Sequence, residues 1–562
     1  MKKEILKTKD KEPKKKKEID LISGLETADT AYKVLKKMND KSYKLTKSKI
    51  TSGLKCNKKL WFDIHDKLKT EKAELKRGDR FNKFVRKHYT KLHGKELNLE
   101  GDWDDLVNKT KKAINLKDIN VIFEATFEYL DTHVRTDVLI RKKNGWELLE
   151  AKSSTKLKDE YIPDISIQSF IVRKCLKQIG HNLISCKLIH FNKDFILENI
   201  DDYENLINDE NDISNQVIDF EKKIENHIKD FLPLTEKNSP CPETEMGTHC
   251  NKPHPCDYKD RCEKSFLKKF LLPKSDVTPF TILPFIGALT LKDKKLIEFM
   301  KNKGTVDLQE VPSKYFKNRK GYAENYHQII QDAHKNNEPW FNFHGLKNAF
   351  KKFSFPFYFM DFEYVDQGVP IVKNTKPYVK LPFQWSVHKW ESENSEIDKG
   401  KSFLRFADQD IERKFIEKLL KAVGNSGTIF AHNIASAEVK ILNDLKEKDS
   451  CKDLVDKIDK LIDRVEDSLI LARMNFYSPL MNGDWGIKSI IKAIPNCPVN
   501  YEEKDNIAGG NDAQLAWFIC TDPKTDEKKI ENQKKFLEDY CSKDTLAVYY
   551  LIKYLMEESK KN

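Results

Sequence analysis

The sequence predicts a mixed α/β protein that contains more than one domain. At 562 residues the chain is too long for a single compact core, and this length predicts roughly two to four domains. Two stretches, residues 46–270 and 351–562, each mix strand-like and helix-like periodicity, and a proline-marked segment separates them. Hydrophobic residues make up 39% of the chain, which is enough to build a globular core in each stretch.

The segments outside these two stretches are predicted to be simpler. Residues 1–45 are polar and lysine-rich, which indicates a basic flexible tail or, alternatively, an arm that contacts nucleic acid. Residues 271–350 contain three separate prolines near their start, and helical patterns follow at 292–303 and 321–335. We therefore expect this segment to form a helical connector between the two domains.

Charge and hydropathy narrow the class of protein. The net charge of +12 favours an acidic partner such as nucleic acid, although a lysine-rich proteome would give the same bias. No apolar run reaches the roughly 18 residues that a membrane helix needs. The lysine-rich N-terminus lacks the apolar stretch of a secretory signal. We therefore expect a cytoplasmic protein that does not interact with membranes.

Periodicity locates the main elements of each domain. The first domain is predicted to contain a pair of amphipathic helices at 70–93, strands at 121–130, 134–141 and 145–152, and a helix at 161–180. The second is predicted to contain strands at 355–363 and 428–431 and a closing helix at 531–558.

The first candidate site combines two acids and a lysine. Asp137 lies on one predicted strand, and Glu150 and Lys152 lie two positions apart on the next, so that the latter two share a face. Two carboxylates can hold a divalent metal ion through oxygen ligands, and a lysine beside them can offset the charge of a scissile phosphate. The pattern therefore suits phosphodiester hydrolysis, although Glu-x-Lys alone also occurs by chance in any highly charged protein.

Longer motifs around these residues resemble PD-(D/E)XK nucleases of the RecB type. The motifs are Glu150-Ala151-Lys152-Ser153-Ser154-Thr155, Leu45-Thr46-Lys47-Ser48-Lys49-Ile50, and Leu54-Lys55-Cys56-Asn57-Lys58-Lys59-Leu60-Trp61. They are most similar to the CRISPR-associated RecB-like exonucleases and their relatives of unassigned function. The resemblance implies a RecB-like, restriction-endonuclease fold over residues 46–270.

The same resemblance implies roles for individual residues. Asp137 and Glu150 would bind Mg²⁺ or Mn²⁺, Lys152 would be catalytic, and Gln168 would assist in the site. The proline that the family places before the first acid is replaced by Thr136, which leaves the metal ligand in place. Weaker candidates for this site are Glu124 and Tyr161.

Four cysteines form the second candidate site. Cys250, Cys256 and Cys262 follow one another with five residues between each pair, and Cys56 upstream is the best fourth ligand. Four thiolates suit a 4Fe–4S cluster. RecB-like families that carry such a cluster also place one cysteine before the nuclease core and three after it. The resemblance therefore implies an iron–sulfur cluster that staples the two ends of the domain together.

Other interpretations of these cysteines stay open. Zinc could be held by the four thiolates or could recruit His249 or His254. Cys241 is a substitute ligand that lacks the family spacing. The cysteines could also be ordinary buried residues without a metal.

The third candidate site is a set of acids in the second domain. A strongly apolar predicted strand ends in Asp361 and Glu363, which lie on one face and would repel each other without a cation. Tyr540 and Asp544 lie four residues apart on the predicted closing helix and therefore point the same way. Between these segments, Glu438 follows shortly after the end of the strand at 428–431.

This order resembles the DEDD exonucleases of the RNase H-like (DnaQ-like) superfamily, tyrosine subclass. The resemblance implies that Asp361, Glu363 and Asp544 hold two metal ions and that Tyr540 orients the attacking water. Typical members have an aspartate where this chain has Glu438. Asp467 is the competing or additional acid, and without either one the domain would be a degenerate nucleic-acid-binding fold.

Segments 376–386 and 486–489 resemble the same family of unassigned function. Lys488 could contact a phosphate, or it could be an ordinary surface lysine. Tyr378 and Trp385 could stack on bases, although core packing is the more frequent use of such residues.

Together the two resemblances imply a metal-dependent nuclease that hydrolyses phosphodiester bonds in DNA, with a RecB-like site and a 3′–5′ exonuclease site. Single strands or DNA ends would be the substrate, in repair, recombination or defence against foreign DNA. One alternative is a non-catalytic nucleic-acid-binding scaffold, and another is an exonuclease that processes RNA. A third is a subunit of a helicase–nuclease complex, in which a helicase partner unwinds DNA because this chain has no glycine-rich phosphate loop.

Overall fold

A computed structural model describes residues 43–68, 73–93, 96–98, 101–270, 277–285, 294–406, 409–435, 437–501 and 510–561. The architecture is mixed α/β, as the sequence predicted, with helices packed on the faces of mixed sheets. The predicted basic tail lies almost entirely outside the described residues. Within these ranges no helix is long and apolar enough to cross a membrane.

The N-terminal part comprises residues 43–270. Its strands are β1 (Leu45–Thr46), β2 (Glu96–Asn98), β3 (Val121–Phe123), β4 (Thr126–Tyr129), β5 (Thr132–Arg135), β6 (Val138–Lys142), β7 (Gly145–Ala151), β8 (Leu183–Phe191) and β9 (Ile207–Asp212). Its helices are α1 (Lys47–Lys55), α2 (Asn57–His65), α3 (Ala73–His93), α4 (Trp103–Asn115), α5 (Tyr161–Gln178), α6 (Ser214–Phe231) and α7 (Lys259–Phe270).

The main sheet of this part has the strand order β2-β3-β6-β7-β8-β9 in the described residues. Strand β7 is central, antiparallel to β6 and parallel to β8. Successive residues of a strand face opposite sides, so Leu148 packs in one core with α5 while Leu149 packs in another with α3. This double coverage explains why β7 is almost wholly apolar until it reaches Glu150.

Three sequence predictions for this part differ from the structure in detail. The predicted strand at 134–141 is divided into β5 and β6, which belong to different sheets and lie on either side of Thr136 and Asp137. Residues 73–93 form one helix instead of a pair, because the interior of this stretch contains no proline that would break it. The predicted strand at 121–130 is divided at Glu124, whose φ of 56° interrupts the extended backbone. The second half, β4, therefore joins a separate small sheet with β5 and β1.

The C-terminal part comprises residues 277–561. Its strands are β10 (Trp340–Phe341), β11 (Phe357–Asp366), β12 (Lys380–Trp390), β13 (Lys401–Leu404), β14 (Thr428–Ala431), β15 (Val465–Asp467) and β16 (Phe476–Tyr477). Its helices are α8 (Lys294–Lys303), α9 (Tyr326–Asn336), α10 (Phe343–Phe350), α11 (Ile411–Val423), α12 (Glu438–Lys446), α13 (Val455–Ile462), α14 (Ser468–Asn475), α15 (Ile487–Ile490), α16 (Gly510–Cys520) and α17 (Glu527–Glu558).

The sheet of this part has the order β13-β12-β11-β14-β15 in the described residues. Strand β11 lies at its centre, antiparallel to β12 and parallel to β14. Its side chains alternate between two cores, with Phe359 facing α17 and Met360 facing α11. By the same alternation, Asp361 and Glu363 continue the face that α17 covers.

The predicted connector is helical, and it packs onto the C-terminal sheet. Leu308, Ile330 and Leu346 are fully buried in the same core as Phe359 and Leu551. The apolar faces of α8, α9 and α10 are therefore part of the C-terminal core and do not form a separate bridging module.

The N- and C-terminal parts contact each other through the segment between β11 and β12. The Tyr378 hydroxyl lies 2.7 Å from the Ser153 hydroxyl, and the Asn374 amide donates to the Leu197 carbonyl at 2.8 Å. Gly368 approaches Phe191 so closely that a Cβ at this position would lie 2.1 Å from the aromatic ring. This contact places the residue after Lys152 against the C-terminal part.

Candidate functional sites

The first site lies at the ends of β6 and β7. Asp137 directly precedes β6, and the register of the hairpin pairs Val138 with Leu149, which brings Asp137 beside the end of β7. The Ala151 amide donates a hydrogen bond to Asp137 Oδ2 at 2.8 Å. Lys152 Nζ lies 2.9 Å from Glu150 Oε1. The structure thus brings Asp137, Glu150 and Lys152 together.

Helix α5 supplies the next side chain. The Gln168 amide donates a hydrogen bond to Glu150 Oε2, and both residues are buried. The other amide atom, Gln168 Oε1, is buried and has no hydrogen-bond partner within the described ranges. It is therefore a buried polar atom with unused acceptor capacity.

Two charged residues of this site were not predicted as site residues. Lys47, the first residue of α1, places its Nζ 2.7 Å from Glu150 Oε1 and 3.5 Å from Asp164 Oδ2. Asp164 also forms an ion pair with Lys152. A signal for Asp164 was available, because it stands one helical turn before Gln168 on α5.

Burial and neighbouring charges give the two acids of this site opposite pKa shifts. Burial, with Glu150 nearby, raises the pKa of Asp137 to about 7. Burial also acts to raise the pKa of Glu150, but Lys152 and Lys47 outweigh it and hold this pKa well below its usual range. The pair therefore has one carboxyl that is readily protonated and one that stays ionised.

The weaker candidates of this site have other contacts. Glu124 pairs with Arg86 at 2.5 Å and with Arg135 at 3.7 Å. The Tyr161 ring lies 5.6 Å from Lys152 Nζ, within the range of a cation–π contact. Tyr161 therefore borders the site.

The four predicted cysteines line one cavity between α1, α2 and the start of α7. Cys56 follows the last residue of α1, and Cys250, Cys256 and Cys262 approach it from the other end of the domain. The Cys256 amide donates to the Cys250 carbonyl at 2.8 Å. In the described part of the chain, no three of these sulfur atoms lie within 4.8 Å of one another.

Neighbouring candidate ligands differ in their positions. His249 borders the same cavity, whereas His254 lies 3.4 Å from Glu160. Cys241 is near enough to Cys56 for a thiolate there to raise the pKa of Cys241, after the larger effect of burial.

The second acidic site lies where β11 meets α17. Ligand oxygens of Asp361, Glu363 and Asp544 lie within 4.8 Å of one another. Burial and then the neighbouring acids raise the pKa of Asp361 and of Glu363 well above their ordinary values. Buried acids this close repel one another unless a cation or protons neutralise them, so the arrangement is suited to divalent metal ions.

Glu438 belongs to this cluster. It begins α12, is only 4% exposed, and its charge helps to raise the pKa of both Asp361 and Glu363. Burial and the nearby Asp467 raise the pKa of Glu438 itself to about 7. Its Oε2 atom is buried without a hydrogen-bond partner among the described residues.

The competing acid has a different role in the structure. Asp467 Oδ1 accepts hydrogen bonds from the backbone amides of Leu469 at 2.9 Å and Asn433 at 3.0 Å. It thereby caps α14 and ties the end of β14 to that helix. Asp467 Oδ1 is therefore used by backbone amides, whereas Glu438 Oε2 has no hydrogen-bond partner among the described residues.

Two tyrosines and a lysine border the acids. Tyr540 stands one turn before Asp544 on α17, as predicted, and hydrogen-bonds to it. Tyr501, which was not predicted, donates a hydrogen bond to Asp544 Oδ1. Lys488 Nζ lies 4.8 Å from the Tyr501 ring centroid and 5.1 Å from that of Tyr540. Its charge opposes the upward pKa shifts of Glu363 and Asp544.

The two aromatic residues considered for base stacking are used inside the molecule. Trp385 is buried, and its indole N–H donates to the Phe415 carbonyl at 3.1 Å. Tyr378 contacts Ser153 at the junction of the two parts.

A third acidic group, formed by Asp104, Glu128 and His133, also brings its ligand atoms within 4.8 Å. Lys44 Nζ already lies 2.9 Å from Glu128 and 3.2 Å from His133 Nε2. An ammonium group therefore occupies the place that a cation would take.

The comparisons with known proteins bear on the second acidic site. A family model described as "Domain of unknown function (DUF2779)" matches residues 358–486. The match begins within β11 and includes Asp361, Glu363 and Glu438. No curated protein matches the chain. The chain is thus similar over this segment to a family that has no assigned activity.

Proposed function

We propose that the chain is a metal-dependent nuclease with two hydrolytic sites, a RecB-like nuclease in the N-terminal part and a DnaQ-like 3′–5′ exonuclease in the C-terminal part. The observation that carries the proposal is the close packing of Asp361, Glu363 and Asp544 within 4.8 Å at the centre of a buried sheet. An arrangement of this kind is stable only with protons or cations bound.

The donor set of the C-terminal site fits divalent metal ions. Asp361, Glu363 and Asp544 would hold them, and the unpartnered Oε2 of Glu438 provides a further oxygen ligand. A bound metal pair would supply activation of a water molecule and stabilisation of the leaving oxygen. The Tyr540 hydroxyl, one turn from Asp544, would orient that water.

The donor set of the N-terminal site fits a single divalent ion. Asp137 and Glu150 would hold it, and the Gln168 amide donates a hydrogen bond to Glu150. Lys152 stays protonated because Glu150 and Asp164 outweigh the effect of burial and raise its pKa. A permanently charged ammonium group beside the acids would offset the negative charge of a phosphodiester.

The four cysteines support a metal-bound staple. A single tetrahedral zinc ion with Zn–S bonds of about 2.3 Å would need sulfur atoms about 3.8 Å apart. Among the described residues no three of the sulfurs lie within 4.8 Å of one another, so the support for a 4Fe–4S cluster is the cavity that all four cysteines line and the resemblance of their order to RecB-like families. We propose Cys56, Cys250, Cys256 and Cys262 as its ligands.

We propose DNA as the substrate, with RNA as the alternative that a direct comparison must decide. The net charge of +12 supports a polyanionic partner without distinguishing the two. Single strands and free ends are the expected substrates, and duplex unwinding would come from a helicase partner.

The test is cleavage of end-labelled single-stranded DNA, double-stranded DNA and RNA in the presence of Mn²⁺. The full chain is compared with Lys152→Ala, Asp361→Ala and the double variant. Lys143→Ala, at the exposed turn of the same hairpin as Glu150, serves as the matched control. Each single variant should lose a distinct part of the activity, by about 100-fold or more, and the double variant should be inactive.

The outcomes separate the candidate functions. Activity on RNA alone would favour the RNA-processing alternative. Tight nucleic-acid binding without cleavage of any substrate would overturn the nuclease proposal and favour a scaffold. Loss of all activity in one single variant would mean that only that site hydrolyses the substrate.

A further inference from the structure

Lys47 occupies an unusual position at the N-terminal site. Its ammonium group lies 2.7 Å from Glu150 Oε1, and Lys152 Nζ lies 2.9 Å from the same oxygen. The Glu150 side chain is only 2% exposed, so both ion pairs are shielded from bulk water. One carboxylate oxygen therefore carries two ammonium groups, although a single lysine is sufficient for the hydrolysis proposed above.

The position of Lys47 at the start of α1 explains how its ammonium group reaches Glu150. Lys47 is the first residue of α1, and the preceding strand β1 pairs with β5, which fixes where the helix begins. The side chain of Lys47 is 24% exposed. Its contact with Asp164 at 3.5 Å gives the ammonium group a second acidic partner outside the pair formed by Asp137 and Glu150.

A divalent ion at Asp137 and Glu150 would lie a few ångströms from this ammonium group. Like charges at that distance repel strongly in a buried site. The acceptor capacity of Glu150 Oε1 is also shared between two lysines, so at least one of them must leave that oxygen for a metal to coordinate it. Both lysines also contact Asp164, but Lys152 is held closely by both acids, whereas Lys47 has only one short contact, the one to Glu150, so Lys47 is the less firmly held of the two.

We infer that Lys47 is an internal counter-ion that holds Glu150 in the metal-free chain, leaves Glu150 Oε1 when a divalent ion binds, and then meets the phosphate of the substrate. The inference rests on the proposed nuclease function of the N-terminal site. Lys47 is then a positioning residue whose charge weakens the binding of the metal ion and strengthens the binding of the substrate.

The inference is tested by titrating Mn²⁺ into the full chain by calorimetry, in an Asp361→Asn, Asp544→Asn background that silences the C-terminal site. Lys47→Met should bind Mn²⁺ at least about tenfold more tightly than the background chain, because a competing charge is removed. Its KM for DNA in cleavage assays should rise. Lys47→Arg, which keeps the charge, should stay close to the background chain.

The control is Lys49→Met, which changes a lysine on the same helix whose ammonium group bonds the Lys44 carbonyl at 2.8 Å and leaves the site unaltered. Lys47→Gln provides a second uncharged variant that can still donate a hydrogen bond to Glu150. It should also show tighter Mn²⁺ binding, which keeps the test decisive if Lys47→Met does not fold.

Asp137→Asn identifies which part of the Mn²⁺ signal comes from the N-terminal site. If that variant abolishes the signal while Lys47→Met and Lys47→Gln bind Mn²⁺ no more tightly than the background chain, the role of Lys47 is overturned and the metal site stands. If Asp137→Asn leaves Mn²⁺ binding unchanged, both the metal site and the role of Lys47 are overturned.

Discussion

Burial raises the pKa of Asp137 and of Glu438 to about 7. A carboxyl whose pKa is higher in the folded than in the unfolded chain binds its proton more tightly when folded. Its contribution to stability is therefore complete below a pH of about 4 and is lost as the pH rises through about 7. We expect the melting temperature of the metal-free chain to fall over this range, as measured by thermal unfolding at a series of pH values.

Divalent metal should offset that loss. Mn²⁺ binds the ionised carboxylates, so the stabilisation that it gives should grow as the pH rises towards 7 and above. Asp137→Asn and Glu438→Gln should each reduce the pH dependence of this stabilisation, because neither replacement side chain titrates. A stabilisation by Mn²⁺ that is equal at all pH values would contradict the prediction.

The site residues that could be predicted from the sequence have a pattern within a short segment, and those that could not be predicted have none. Asp361 and Glu363 directly follow an apolar run within β11, and Tyr540 and Asp544 repeat at a helical spacing, so a short window is enough to detect them. Tyr501 reaches Asp544 from a segment 43 residues upstream that has no periodicity of its own. A side chain that is positioned only by tertiary packing leaves no such signal in the sequence.

At the scale of elements, strands were predicted well where both faces are buried. The strand at 428–431 has the predicted bounds because an apolar run of that length fits a covered central strand. The division of the strand at 121–130 depends on the left-handed conformation of Glu124, which no propensity favours. The packing of α8 to α10 onto the C-terminal core could not be predicted either, because an amphipathic pattern does not show which surface the helix covers.

The proposed cysteine staple connects elements from the two ends of the N-terminal part, and it leads to a prediction about them. Cys56→Ser should lose the bound metal and destabilise the N-terminal part, because Cys56 links the α1–α2 junction to the segment 250–262 at the other end of the domain. Iron, sulfide and zinc contents of the purified chain, followed by urea unfolding, are the measurements. Cys497→Ser, which changes a half-buried cysteine of the C-terminal part, should leave all of them unchanged.

If the wild-type chain contained zinc but no iron or sulfide, the site would be a zinc site and the proposed cluster would be wrong. Full metal content in Cys56→Ser would instead point to Cys241, the nearby thiol, as the ligand. The two results would correct different parts of the proposal, namely the metal and the ligand set.

At the scale of the whole molecule, one of the contacts between the two parts requires the absence of a side chain at Gly368. A Cβ there would lie 2.1 Å from the ring of Phe191, which is itself fully buried and has no free space to move into. We expect Gly368→Ala to lower the free energy of unfolding by about 1–3 kcal/mol in urea titrations. It should also make the segment between β11 and β12 more sensitive to limited proteolysis.

Gly78→Ala is the matched control for this substitution. Gly78 lies within α3, where a Cβ would meet nothing within 4 Å, so alanine should stabilise the chain by up to about 1 kcal/mol. Equal effects of the two substitutions, in either direction, would show that the close approach of Gly368 to Phe191 does not hold the two parts together.

Helix α1 begins at Lys47, whose ammonium group contacts Glu150, and ends immediately before Cys56. Nine residues at about 1.5 Å per residue make a rod of roughly 13 Å with the proposed metal-binding acids at one end and the proposed sulfur ligands at the other. Loss of the proposed cluster should therefore loosen the Cys56 end of this rod, while the pairing of β1 with β5 still holds the Lys47 end. The acids of the C-terminal site lie on β11 and α17, so the proposed chemistry of that site should be less sensitive to loss of the cluster than that of the N-terminal site.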